Sequence, residues 1–122
     1  MRIYIAHPYT GNEEMNRESA LEAEKVLRQA TPNVEFFNPV GRMSQTKHFM
    51  AMSYANVMAY CLEALADSDG VVFCGDWAHS SGCRLEAHVA KQSQLPRWYG
   101  ADAYVKNWAQ VEEEARRKEA AV

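Results

Sequence analysis

The stretch that decides the fold is DGVVFCGDWAHSSGCRLEAHVA, residues 69–90. Val71-Val72-Phe73-Cys74 is an apolar run without polar alternation, the pattern of a strand whose two faces are both covered by helices. Gly75-Asp76-Trp77-Ala78 breaks the run, and the residues after Ser81 return to helical spacing. Strand, loop and helix in that order make the basic unit of a parallel α/β sheet. The helix contains a puzzle. Leu85 and Val89 share the face expected to be buried, with Ala90 at its edge, and Glu86 lies about 100° round from Leu85. The residues three and four positions from Glu86 are Gly82, Cys83, Val89 and Ala90, so neither Lys nor Arg is placed to pair with it.

Working outward, the same alternation recurs. Ile3-Tyr4-Ile5-Ala6 reads as a buried strand, ended by the loop His7-Pro8-Tyr9-Thr10-Gly11. Thr10 with Glu13 fits a capping box, and Ala20, Ala23, Leu27 and Ala30 then follow at helical spacing. Val34 to Phe37 is a second strand, closed by Asn38-Pro39, and the polar stretch from Gly41 to His48 reads as a loop. A second long helix is expected from Phe49 to Ala66, with Tyr54, Met58, Cys61 and Leu65 on one face. Leu95 to Tyr99 suits a short fourth strand. One last helix from about Ala101 carries Tyr104, Trp108, Val111 and Ala115 on a stripe. Its other face spaces Glu112–Arg116, Glu113–Arg117 and Glu114–Lys118 four apart, as a solvated surface would. These elements predict a flavodoxin-like or Rossmann-like α/β fold, a three-layer sandwich with a parallel sheet of four or five strands.

The 122 residues suit a single domain, residues 1–122, with one core. A net charge of −3 gives no footprint for nucleic acid or an anionic membrane surface, and no apolar run reaches the length of a membrane span. The start enters a strand directly and does not read as a signal peptide. Three cysteines, Cys61, Cys74 and Cys83, form no CxxC and suit buried thiols in a reducing, cytoplasmic setting.

In open parallel sheets ligands bind beyond the carboxyl ends of the strands. That rule gathers three loops: His7 to Gly11, Asn38 to Arg42, and Gly75 to Gly82. Glu86, just past the last of them, would face the same crevice. By itself it is a surface acid near a helix start, where the dipole favours it. With Tyr9, Asp76, Ser80 and Ser81 converging on it, a ligand role becomes the better account. Ser80 or Ser81 caps the helix, and a Ser-Ser-Gly helix start also suits a phosphate. Asp69 before the third strand serves either as a turn cap or in the site. Cys83 and His88 point to different sides of the helix, so His79, Cys83 and His88 do not make a zinc site. The methionines Met43, Met50, Met52 and Met58 read as core filling. No dinucleotide fingerprint, P-loop or nucleophile elbow is present.

The motifs IYIAHPYTG (3–11), FFNPV (36–40) and DGVVFCGDWAHSSGCRLEAHVA (69–90) resemble the nucleoside 2-deoxyribosyltransferase-like superfamily, and most of all its short phage and bacterial branch. The resemblance runs from Arg2 to about Gln92. It implies cleavage of the N-glycosidic bond of a (deoxy)nucleoside or nucleotide. Glu86 would be the nucleophile at the anomeric carbon, Tyr9 would hold its carboxylate in line, and Asp76 or Asp69 would supply a proton to the leaving base. His7, Pro8, Thr10 and Gly11 would contact substrate from the first loop, and Asn38 and Pro39 from the second. Trp77, Ser80, Ser81 and Gly82 would do so from the third. Ser80, six residues before the nucleophile, favours a 5′-monophosphate and hydrolysis, as in 2′-deoxynucleoside 5′-phosphate N-hydrolases. The alternatives are deoxyribosyl transfer between nucleosides, or a non-catalytic nucleotide-binding module. Two positions depart from the pattern: Cys61 stands where an Asp is usual, and His7 where a Gly is usual. The resemblance implies no cofactor and no metal, a small-molecule nucleoside or nucleotide as partner, and a homo-oligomer, a dimer or larger.

Overall fold

A computed structural model describes residues 1–42 and 52–121. Four strands, β1 (Arg2–Ala6), β2 (Glu35–Phe37), β3 (Gly70–Phe73) and β4 (Arg97–Tyr99), form one parallel sheet in the order β2-β1-β3-β4. Six α-helices accompany them among the described residues: α1 (Glu13–Ala30), α2 (Pro39–Arg42), α3 (Tyr54–Ala66), α4 (Ser81–Gln92), α5 (Ala101–Lys106) and α6 (Trp108–Ala120). The fold is the expected flavodoxin-like or Rossmann-like sandwich. Strand order reverses between β1 and β3, which both leave the sheet toward the loops read as the site.

Alternation along β1 and β3 builds two cores from adjacent residues, because successive side chains in a strand point to opposite faces. Ile3, Ile5, Val72 and Cys74 pack with Leu27, Tyr104, Val111 and Ala115 on the layer of α1, α5 and α6. Tyr4, Ala6, Val71 and Phe73 pack with Cys61, Leu65, Cys83 and Ala90 on the layer of α3 and α4. That second layer therefore receives Tyr4 from the sheet and Glu86 from α4.

Several local expectations are corrected. The buried face of α4 is Cys83, Glu86 and Ala90, whereas Leu85 is 42 % exposed. Cys83 and Ala90 pack in one cluster with Val71 and Phe73 of β3, and the carboxylate goes in with them. No Thr10–Glu13 capping box forms. The N-cap of α1 is Asn12, which makes no side-chain cap bond, and Thr10 is exposed. Gly41 and Arg42 belong to α2 and not to a loop; residues 43–51, including Met43, Met50 and the expected helix start at Phe49, lie outside the described residues. The helix instead starts at Tyr54, where the Ser53 hydroxyl accepts from the Asn56 amide at 3.2 Å.

The C-terminal helix is two helices, because the Asn107 side chain donates to the Ala103 carbonyl at 2.7 Å and ends α5. The stripe splits with it: Tyr104, Val111 and Ala115 are buried, while Trp108 is 52 % exposed. The expected ion pairs four apart also give way. Arg117 meets Glu114, Lys118 reaches Asp69 at 3.0 Å, and Glu112 is buried.

Gly75, just after β3, has φ +65°, and a Cβ there would sit 2.8 Å from His7 Nε2. Gly75→Ala should cost about 1–3 kcal/mol, from the left-handed backbone and the collision together. Urea denaturation checks this; an unchanged midpoint would show that the turn relaxes freely.

Candidate functional site

A cleft of about 1060 Å³ opens at the carboxyl end of the sheet. The β1–α1 loop forms one wall with His7, Pro8, Tyr9, Thr10 and Gly11, joined by Pro39 from the start of α2. Asp76 and the Ser80-Ser81-Gly82 entry to α4 form the opposite wall, and Glu86 lines it from one turn further on. Eleven of the fourteen residues expected from sequence are thereby brought together.

Three are not. Asn38 is buried behind the cleft, where its side-chain amide donates to the Ala20 carbonyl (2.9 Å) and Glu24 (3.0 Å), and its Oδ1 accepts from the Gly41 amide. It fixes the β2–α2 turn and does not line the cleft. Asp69 sits at the amino end of β3, opposite the cleft, accepting from the Arg2 amide at 2.8 Å and from Lys118. Burial works against its ionisation, but these two donors outweigh it and hold the carboxyl below its ordinary range. A proton donor for the cleft cannot come from there. Trp77 makes tilted ring contacts with Phe73 and Tyr99, centroids 5.2 and 5.1 Å away, outside the cleft lining.

Glu86 is the buried carboxyl of the cleft. It is 6 % exposed, and burial raises its carboxyl from 4.5 to about 7, with a hydroxyl contact from Tyr4 opposing the shift. Tyr4 and Cys61 line the cleft beside it. The Tyr4 hydroxyl lies against both groups, yet meets strict hydrogen-bond geometry with no partner among the described residues. Burial first, and then the Glu86 charge, push the Tyr4 phenol well above its ordinary value, so it keeps its proton and remains a donor. Burial likewise pushes Cys61 to about 11 and Cys83 to about 12. Neither thiol is a nucleophile near neutrality. A desolvated carboxylate beside an unspent hydroxyl donor is suited to meet developing positive charge or to attack an electrophilic carbon.

Sequence reading missed Tyr4. Its signal was present, because β1 alternation places Tyr4 on the same face as Ala6, toward α3 and α4. Tyr9, the expected positioning residue, is half-buried in the cleft wall and makes no hydrogen bond to Glu86. Its backbone carbonyl accepts from Asn16, which also lines the cleft. Met52 and Met58, read as core filling, are half-buried and line the cleft with Tyr54. The α3 stripe is thus continuous from core to cleft: Cys61 and Leu65 are buried at one end, and Tyr54 stands 60 % exposed at the other.

His7 is 5 % exposed, and burial holds its imidazole below the ordinary value against an opposing hydrogen bond to the Pro8 carbonyl. The carbonyl can only accept, so Nδ1 carries the proton and Nε2 accepts from the Ser19 hydroxyl at 2.9 Å. The ring braces the first loop against α1 and Gly75. At the rim, His79 Nδ1 and Asp76 Oδ1 are 2.6 Å apart in solvent. Ser80 is the N-cap of α4: its hydroxyl accepts from the Cys83 amide at 3.3 Å. No group of three or more His, Cys, Asp or Glu suited to a metal occurs among the described residues. No helix there is long and apolar enough to cross a membrane.

A family model described as "Domain of unknown function (DUF4406)" matches residues 1–99, which include the whole sheet and every cleft residue named here. The chain belongs to that family. No curated protein and no solved structure matches it significantly.

Proposed function

We propose that this DUF4406 protein is an N-glycosidase that releases the base from a (deoxy)nucleoside 5′-monophosphate, with Glu86 as nucleophile. One observation carries the reading: a carboxyl raised to about 7 lines a ligand-sized cleft, with a tyrosine hydroxyl against it. In the first step Glu86 attacks the anomeric carbon as the carbon–nitrogen bond breaks, and the bond pair leaves with the base. The departing base takes a proton at the rim, where Asp76 and His79 stand, or from water. Water then attacks the glycosyl carbon, giving its proton to the rim groups or to bulk water, the Glu86–carbon bond breaks, and the carboxylate returns. The Tyr4 hydroxyl, which lies against the carboxylate with its proton unspent, is the donor that would hold it in line.

The phosphate end is assigned to the start of α4. Ser80 supplies the cap for Cys83 and its carbonyl accepts from Arg84, which leaves the Ser81 and Gly82 amides ahead of the first intrahelical bonds. On this reading a monophosphate binds ~2–4 kcal/mol better than its nucleoside. Ser80→Ala keeps the Ser81 and Gly82 amides but removes a hydroxyl donor, so it should narrow that difference by about 1 kcal/mol, and through loss of the cap it should also lower stability by about 1 kcal/mol. Calorimetry of both ligands against both proteins measures it, and equal affinities for nucleoside and monophosphate would refute the phosphate assignment.

A second reading, deoxyribosyl transfer between uncharged nucleosides, is favoured by the charge of the cleft. Among the described residues its lining includes two carboxylates, Asp76 and Glu86, and neither Lys nor Arg. A free acceptor base added to the assay separates the two: transfer makes a new nucleoside, and hydrolysis does not.

A further inference from the structure

Three buried side chains from three elements line the cleft together: Tyr4 from the middle of β1, Cys61 from α3 and Glu86 from α4. Tyr4 and Cys61 belong to one buried cluster, at 0 % and 4 % exposure. The Tyr4 hydroxyl lies against both Cys61 and Glu86. It is closed to solvent and has no strict hydrogen-bond partner among the described residues. A buried hydroxyl left unpaired is costly, so its proton and its oxygen have to be used within this trio.

The chemistry of each group limits the part it can play. An ionised Glu86 carboxylate has no proton and can only accept. Burial pushes the Cys61 thiol to about 11, so near neutrality it keeps an S–H to give. A phenol does both, and a carboxylate is a far better acceptor than a neutral sulfur. One arrangement uses every proton: Cys61 S–H to the Tyr4 oxygen, and Tyr4 O–H to the carboxylate. Cys83, one turn before Glu86, feels the same charge but lies against the Ser80 hydroxyl. The other titratable residues of the cleft are engaged elsewhere or stand clear. His7 is bonded to Pro8 and Ser19, Asp76 and His79 pair at the rim, and Tyr9 and Tyr54 make no hydrogen bond to the trio. Among the described residues neither Lys nor Arg lines the cleft.

We propose that Cys61 is a positioning residue: its S–H occupies the Tyr4 oxygen and thereby aims the phenol proton at the Glu86 carboxylate. Hydrogen bonding to the charged form favours that form, so the thiol acts on Glu86 through Tyr4. The catalytic meaning of this arrangement rests on the reading of Glu86 as nucleophile; the arrangement itself does not. A cysteine that merely fills the apolar stripe of α3 would be replaced equally well by any side chain of similar bulk. One that donates is replaced only by another donor.

The test follows the Glu86 side-chain carboxyl carbon by ¹³C NMR from pH 4 to pH 9, assigned with Glu86→Gln. No substrate enters the titration, so a failure of the N-glycosidase reading and a failure of this proposal are seen separately. In the parent the midpoint is expected at about 7. Tyr4→Phe, which loses the phenol proton, should raise it by on the order of one pH unit. Cys61→Ala and Cys61→Val, one smaller and one larger than the thiol and both without a donor, should each raise it by about half a unit. Cys61→Ser keeps a donor and should leave the midpoint at or below that of the parent. In the Tyr4→Phe background Cys61→Val should add no further rise, because the thiol acts through the phenol. Three results would overturn the proposal. One is a midpoint unchanged or lowered in both Cys61→Ala and Cys61→Val; another is an equal rise in Cys61→Ser. The third is a Cys61→Val rise that persists when Tyr4→Phe is present.

Discussion

Glu86→Gln is expected to lower base release by a factor on the order of ten-thousandfold, with Glu86→Ala at least as severe. Gln fills the same space but cannot form a glycosyl ester, so the loss isolates the nucleophile from the packing around it. The pH profile gives an independent signature. The nucleophile must be ionised, and burial raises its carboxyl to about 7, so kcat/KM should climb through neutrality and level off near pH 8. A surface glutamate would give a rise near its ordinary value instead. Release of free base from a panel of nucleosides and nucleotides, followed chromatographically, checks both. Substantial turnover in either variant would end the assignment, and so would a profile flat between pH 5 and 8.

The same substitution should raise stability. A carboxyl at 4.5 in the unfolded chain and about 7 in the folded one binds more protons when folded between those pH values. Its contribution is therefore fully present below pH 4.5 and is lost as pH rises through 7. At 1.36 kcal/mol per pH unit the loss amounts to roughly 3 kcal/mol at pH 8. Glu86→Gln carries no such penalty and should exceed the parent by about that much at pH 8. That corresponds to a Tm higher by on the order of 10 °C. The two should converge below about pH 4.5. Thermal melts of both proteins from pH 4 to pH 9 make the comparison; parallel curves would mean that the carboxylate is solvated and the site is not desolvated. An activity lost while stability rises is what a functional site under strain would show.

Much of the fold was legible because apolar runs in β1 and β3 admit few other interpretations. The site loops were legible because parallel sheets put them at one end. What sequence did not disclose is which way individual side chains turn. Leu85 is apolar and on the face expected to be buried, yet α4 presents Cys83, Glu86 and Ala90 inward and leaves Leu85 partly exposed. The loop position of Tyr9 marks it as a tyrosine of the site, while another tyrosine, Tyr4, comes to Glu86 from within a strand. Asn38 and Asp69 were read as ligand contacts, but both are consumed by backbone amides and neighbouring side chains. The helix break at Asn107 depends on one side chain capturing a carbonyl, a choice that propensity over a window averages away.

The family match stops at residue 99, where β4 ends, but the hydrophobic layer does not stop there. Tyr104, Val111 and Ala115, all later in the chain, cover Ile3, Ile5 and Val72 on one side of the sheet. A boundary drawn by descent and a boundary drawn by burial therefore disagree. The matched stretch holds every cleft residue named above but takes part of the cover of its sheet from residues beyond its end. Any fusion or excision of this protein has to respect the second boundary. A chain cut at residue 99 would lay bare part of the sheet face made by Ile3, Ile5 and Val72, the face that Tyr104, Val111 and Ala115 cover.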